Sequence, residues 1–487
     1  MLQDIIKQHI QTIDREIDME GISGKTLLQW LTPLLDSMTE DGAVPYLIGK
    51  KERYRASPLS STLEWMIMAN LLPREAISIF QDKLVYLRDS GQPGDPSIVI
   101  KNKLPEDSEG WSISEGVSIW STSVAIIALF DPYQLWEKHK QVIKEAVLWL
   151  ASQRSIAEDG WAYQNHINCS VNTIMTALAL RAIAMAMQKC AELDFSPDEE
   201  SSLKSALKGG FYYLKNHICQ DKKKTQVYWQ FQNEAHCTAT VWSLLALYEL
   251  SKLEGNEEVL KFYQEHRISA LRFVVSKMPQ KSTRWMDEKM VEEGGAKYNK
   301  HKNYYSFCAV LLPQLFTLGL SPFHPKVISQ IQWLIKNPEE WKIANYDKSK
   351  ISSFTYAMVL STIVLWAKSV GRVQSKCLLL EKNGFFSKTT DYVCGIRNDP
   401  NSPILIILKK RLISYFISIV ILLLMLMKGK SIWAATVCLV NKLFSLLGQS
   451  FNSIIVNIVS SILWLFLVAL VNRIIKTIKN RRWNRID

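Results

Sequence analysis

Between residues 41 and 371 the chain alternates two hydrophobic patterns, runs that are apolar at nearly every position and runs that are apolar on one helical face. Residues 170–187 are of the first kind, the signature of a helix buried around most of its circumference. KEAVLWLASQ (144–153) and ISQIQWLIKN (328–337) are of the second kind and read as partner helices. The pattern recurs. EGWSISEGVSIWSTSVAIIALF from Glu109, DGWAYQNHINCSVNTIMTALAL from Asp159 and VYWQFQNEAHCTATVWSLLAL from Val227 are its strongest copies. Weaker ones begin at Gly294 and Glu339, and a degenerate first copy begins at Asp41. Each runs from a Gly or aromatic turn through a polar stretch to a Ser, Thr or Asn that can cap the apolar helix following it. The anchors Trp111, Trp161, Trp229, Ala296 and Trp341 are 50, 68, 67 and 45 residues apart, room for one helical hairpin each. The expected fold is all-α. Five to six such hairpins close into a double-walled barrel, an alpha/alpha toroid, whereas an open solenoid exposes its ends. Residues 1–40 read as an N-terminal helical segment, with Ile and Leu at helical spacing among charges.

A different pattern begins at residue 404. Residues 412–427 carry no charge, follow Lys409, Lys410 and Arg411, and precede Lys428. Residues 454–471 are likewise uncharged and precede Arg473, Lys476, Lys479, Arg481, Arg482 and Arg485. These read as two membrane spans, with residues 431–447 as an interfacial, reentrant or third segment. The fold class is thus completed by a C-terminal transmembrane hairpin over 404–487, joined to the toroid by a linker at 372–403.

Composition sharpens this picture. The net charge of +12 lies almost wholly after Ile404, where 12 basic residues face one acid; the 403 residues before it carry +1. A cationic nucleic-acid surface on the large domain is therefore not expected, and the Lys222–Lys224 run reads as a solvated loop. With 48% hydrophobic residues the chain is too apolar for disorder. Eight cysteines without CxxC pairing fit a reducing compartment. Basic clusters outside both spans put the large domain in the cytoplasm of a multi-pass membrane protein, and the spans offer a surface for homo-oligomers.

WLASQ followed by DGWAYQ resembles the Gln-Trp repeat of the terpenoid cyclases and protein prenyltransferases, over about residues 41–371 and best at Trp111, Trp161 and Trp229. The resemblance implies an alpha/alpha toroid around an isoprenoid-binding chamber. Repeated Gly-Trp turns are also shared by six-hairpin glycosidases. The cyclases' proton-donating DxDD aligns here with Cys169, Ser170, Val171 and Asn172, none of which can act as the acid. The magnesium-binding DDxxD is missing, because the sequence has no Asp-Asp dipeptide. The prenyltransferases hold zinc with Asp, Cys and His. His236 and Cys237 are the matching candidates, although Ala235 replaces the Asp; His166 and His301 lie at comparable turns.

No cofactor is expected on these grounds, with zinc at His236 and Cys237 as the weaker alternative. Whether the chain is an enzyme stays open. The catalytic candidates are Glu234 and Asp159; Glu109 and Glu115 are further acids that a glycosidase reading would need to pair. Trp120, Asn168, Asn172, His236, Thr240 and Tyr304 share equivalent mouth positions and are expected to line a cavity. The expected function is a membrane-anchored toroid that binds an apolar, isoprenoid-like small molecule or a peptide without standard cyclase chemistry. The alternatives are an unconventional cyclase or prenyltransferase acting on a membrane-derived substrate, and a sensor or effector whose C-terminal helices act on the bilayer.

Overall fold

The computed structural model describes residues 1–49, 56–89, 112–113, 116–117, 119–162, 170–223, 225–231, 233–279, 283–287, 290–291, 303–304, 308–341 and 351–371. The chain divides into two units, and all of these residues belong to the first, Met1–Phe385 with Cys394–Asn401. The expected membrane spans lie outside the described residues.

The described part is predominantly helical. Its helices are α1 (Leu2–Ile17), α2 (Met19–Ser23), α3 (Leu27–Leu35), α4 (Ala56–Met68), α5 (Arg74–Asp89), α6 (Ile119–Leu129), α7 (Lys140–Ser152), α8 (Thr173–Met187), α9 (Cys190–Leu193), α10 (Pro197–Asn216), α11 (Cys237–Leu250), α12 (Glu257–Lys277), α13 (Leu312–Thr317), α14 (Pro325–Lys336) and α15 (Ser353–Val370). Sequence sets their starts. Thr26 with Gln29 and Ser196 with Glu199 form capping boxes at α3 and α10, and Pro197 opens α10 with its φ already helical. Asn172 caps α8 by accepting from Met175 N, so that helix begins at Thr173 rather than at 170. Short antiparallel strand pairs fill the connections: β1 (Ser112–Ile113) with β2 (Gly116–Val117), β3 (Ile218–Gln220) with β4 (Val227–Phe231) and β5 (Glu234–Ala235), and β6 (Met290–Val291) with β7 (Asn303–Tyr304).

Helices α4, α6, α8, α11 and α15 are buried almost all round. They pack in sequence order: α4 on α6, α6 on α8, α8 on α11, α11 on the 3-10 turn Cys308–Leu311 and α13, and these on α15. α15 packs in turn on α4. The more amphipathic helices back them, with α5 on α4, α7 on α6 and α8, α10 on α8, α12 on α11 and α14 on α15.

The buried tryptophans join the two kinds of helix. The indole Nε1 of Trp161 donates to Leu150 O of α7 (2.7 Å), that of Trp229 to Leu214 O of α10 (2.8 Å), and that of Trp341 to Leu334 O of α14 (2.9 Å). The main chain of each turn then reaches the next helix start. Asn172 N donates to Trp161 O at 3.1 Å, His236 N to Trp229 O at 3.2 Å and Cys308 N to Trp285 O at 3.1 Å. Trp285 thus shares the main-chain half of the pattern, while its indole Nε1 is buried with no partner among the described residues; the expected anchor Ala296 lies outside the described residues. Trp229, Trp285 and Trp341 are 56 residues apart at each step. Trp285 stands 23 residues before the helix start it contacts, against 11 for Trp161 and 7 for Trp229, so the turn-to-helix pattern of the strong copies does not mark it.

The N-terminal part of the chain is tied directly to the last helix and the turn before it. Leu47 and Ser352 form a β-bridge, with Ile48 N donating to Ile351 O (3.0 Å) and Ser353 N to Tyr46 O (3.1 Å). Tyr356 Oη donates to Trp30 O, Lys368 Nζ donates to Ala69 O at 2.8 Å, and the Trp30 and Trp341 rings stack at 5.3 Å. Among the described residues one helix, Ser353–Val370, is long and apolar enough to cross a membrane. It is 72% buried inside the fold, where a core helix belongs, so the described residues do not support a multi-pass topology.

Candidate functional site

Full burial of the five long core helices is broken on a narrow stripe. In α8 the half-buried residues are Arg181 and Met185, and in α6 Trp120 alone. In α4 they are Glu64, Ile67 and Met68; in α15, above its last turn, they are Phe354, Met358 and Leu365. Spacings of three, four and seven residues put each set on one helical face. In α11 the half-buried residue of the first two turns is Trp242.

Two pairs of stripe residues bypass an intervening helix. Arg181 Nη1 of α8 donates to Glu64 Oε1 of α4 at 3.0 Å, although α6 packs between those helices. The Trp120 ring of α6 lies 5.2 Å from the Trp242 ring of α11 at 46°, although α8 packs between. Both pairs therefore stand on the face shared by the core helices. The ion pair is mostly sequestered, with side-chain exposures of 13% and 11%. Arg181 Nε and Trp242 Nε1 are buried and have no acceptor among the described residues. A buried donor left unmade costs about 1–3 kcal/mol, so the face carries two donors awaiting an acceptor.

At the start of α11 a second polar cluster forms. His236 caps the helix, its Nδ1 accepting from Ala239 N at 3.3 Å. Asp287 reaches the same helix end from another turn: Oδ1 accepts from Cys237 N (2.8 Å), and Oδ2 from Thr238 N (2.9 Å) and Thr238 Oγ1 (2.7 Å). Asp287 Oδ2 is also 3.2 Å from His236 Nδ1. The favourable end of the helix dipole holds this carboxylate in place. Burial pushes the His236 pKa down against the pull of Asp287. The Cys308 hydrogen bond lowers the Cys237 pKa, but burial and Asp287 outweigh it and leave the thiol above its ordinary value. Burial likewise holds the Cys308 thiol well up.

Both Asp287 oxygens and His236 Nδ1 serve the helix end, whereas His236 Nε2 is buried with no partner among the described residues. Among the described residues no three His, Cys, Asp or Glu side chains stand where they could hold one ion. The described residues of this cluster therefore do not assemble a three-ligand zinc site.

The other expected site residues are dispersed. Thr240 Oγ1 accepts from Trp229 N (3.1 Å) and donates to His236 O (2.7 Å), so its hydroxyl serves the turn. Asn172 is engaged as the α8 cap. Asp159 adopts φ 60° and pairs with Arg154, close against Gly209 of α10, where a Cβ would sit 1.9 Å from the guanidinium. Glu234 is exposed in β5. Trp120 belongs to the stripe. Tyr304 is placed by its backbone in β7 only, and Asn168, His166, His301, Glu109 and Glu115 lie outside the described residues, as does Cys169 of the stretch aligned with DxDD. Glu64, Arg181 and Trp242 are what the motif reading missed. A signal for one was available, since Arg181 is the lone charge in the apolar run TIMTALALRAIAMAM.

No protein-family model matches this chain, and no curated protein does so either.

Proposed function

We propose that the described unit is an alpha/alpha toroid of six helical hairpins whose interior binds an apolar small molecule, and that residues 404–487 anchor it to a membrane. Packing that runs from α4 through α15 and back to α4, reinforced by the Leu47–Ser352 bridge, supports the closed barrel. The observation that carries the binding reading is the set of half-buried residues on the core helices, which includes the Trp120–Trp242 ring pair, the Glu64–Arg181 ion pair, Met185, Met358 and Phe354. Aromatic and thioether side chains with a few converging polar groups suit an apolar ligand.

Binding without cyclase chemistry is the reading favoured here. The positions aligned with DxDD hold no acid, and Asn172 among them is committed to capping. The carboxylate on the stripe, Glu64, is engaged by Arg181 in an ion pair at 3.0 Å. A mass-spectrometric inventory of small molecules retained by the purified full chain tests this. The expected result is a stoichiometric apolar compound whose amount falls several-fold in Trp242→Ala. Retention of nothing beyond bulk lipid, equally in both proteins, overturns it.

A further inference from the structure

The stripe also constrains the ligand's polar end. This step rests on the binding reading above. Two buried donors on it, Arg181 Nε and Trp242 Nε1, have no acceptor among the described residues. A hydrocarbon seated there leaves both unmade, whereas a ligand oxygen accepting from either relieves that cost. The charge of the head follows from the ion pair. Arg181 is already neutralised by Glu64 at 3.0 Å, and both side chains are nearly sequestered. An anionic head would stand beside the Glu64 carboxylate in a place where water screens poorly, and like charges there repel strongly. A cationic head would meet Arg181 and could not accept from either free donor.

We propose that the interior selects a neutral amphiphile, an apolar chain or ring system ending in an uncharged oxygen acceptor such as a hydroxyl or carbonyl. Its apolar body lies against Trp120, Met185, Met358 and Phe354, and its oxygen accepts from Trp242 or Arg181.

The test titrates the full chain in lipid nanodiscs at pH 7.5 with three probes of equal length: a fifteen-carbon isoprenoid alcohol, the matching carboxylic acid and the matching hydrocarbon. Tryptophan fluorescence reports binding, since the Trp120 and Trp242 rings are 5.2 Å apart. The alcohol is expected to bind at least about 10-fold more tightly than either of the others. In Trp242→Phe, which keeps a ring and removes the donor, the alcohol should weaken about 5-fold or more while the hydrocarbon is unchanged. In Glu64→Gln the acid should gain about 10-fold, because the repelling charge is gone. Acid binding as tight as alcohol binding in the unmodified chain overturns the proposal, and so does hydrocarbon binding as tight as alcohol, which would leave the apolar-ligand reading standing. If none of the three binds, both fail. The unmodified chain alone decides these outcomes, so a variant that misfolds does not obscure them.

Discussion

Thr240 accepts the Trp229 amide and donates to His236 O, while Thr176 accepts the Trp161 amide at 3.0 Å. Removing either hydroxyl strands a buried N–H, so Thr240→Ala and Thr176→Ala are each expected to lower stability by about 1–3 kcal/mol in urea unfolding. A change below about 0.5 kcal/mol in both would show that these hydroxyls are not structural. His324 gives a pH dependence. It caps α14 by accepting from Lys326 N at 3.2 Å, and burial, with Lys326 beside it, pushes its pKa down from 6.5 to about 4. The unfolded chain takes up this proton first. Stability from this group is therefore full above pH 6.5 and is lost as pH falls toward 4, by up to roughly 3 kcal/mol. His236 and His266, also lowered by burial, act in the same direction. His324→Asn retains a capping acceptor and should flatten part of that acid slope; an unchanged slope between pH 6.5 and 4 contradicts the assignment. At this scale the sequence showed which residues stand at helix starts but not what they bond. Pattern alone does not show that Thr240 Oγ1 accepts from Trp229 N or that Asn172 Oδ1 accepts from Met175 N.

The recurring element is the tryptophan turn; at Trp161 and Trp229 the indole ties off one helix while the main chain starts the next. Trp229→Phe keeps the ring and loses the bond to Leu214 O, and it is expected to cost about 1–3 kcal/mol. Asp287→Ala should cost at least as much, because it uncovers two amides and a hydroxyl at the start of α11. Asp287→Asn should be milder, since one side-chain oxygen still accepts. Equal losses from Ala and Asn would indicate that the carboxylate's charge, rather than its hydrogen bonds, holds α11. Helix identity was legible because the apolar runs are long. Trp285 was not, because 23 residues separate it from the helix start at Cys308, against 7 between Trp229 and His236. Asp287 was not, because the helix it caps begins 50 residues earlier in the chain.

Across the whole unit the decisive contacts are the most distant in sequence. Tyr356 to Trp30 spans 326 residues, Lys368 to Ala69 spans 299, and Arg181 to Glu64 spans 117. Periodicity reports which face of a helix is apolar but not which helix meets it, so the ion pair on the stripe could not be read from pattern alone. Trp120 could be named because its position in the repeat is shared by other mouth residues. The tail is a matter of composition: a chain ending at Ser402 should leave the membrane fraction that the full chain pellets with, and equal partitioning would contradict the anchor. The central claim is that the stripe of core-helix residues is a binding surface for an apolar molecule. The most direct measurement is photo-crosslinking of the full chain with a diazirine-bearing fifteen-carbon isoprenoid alcohol, followed by peptide mapping. Adducts on the peptides carrying Trp120, Met185, Trp242 and Met358, competed away by unlabelled alcohol, are the predicted result. Adducts confined to residues 404–487 and to α5, α7, α10, α12 and α14 would contradict it.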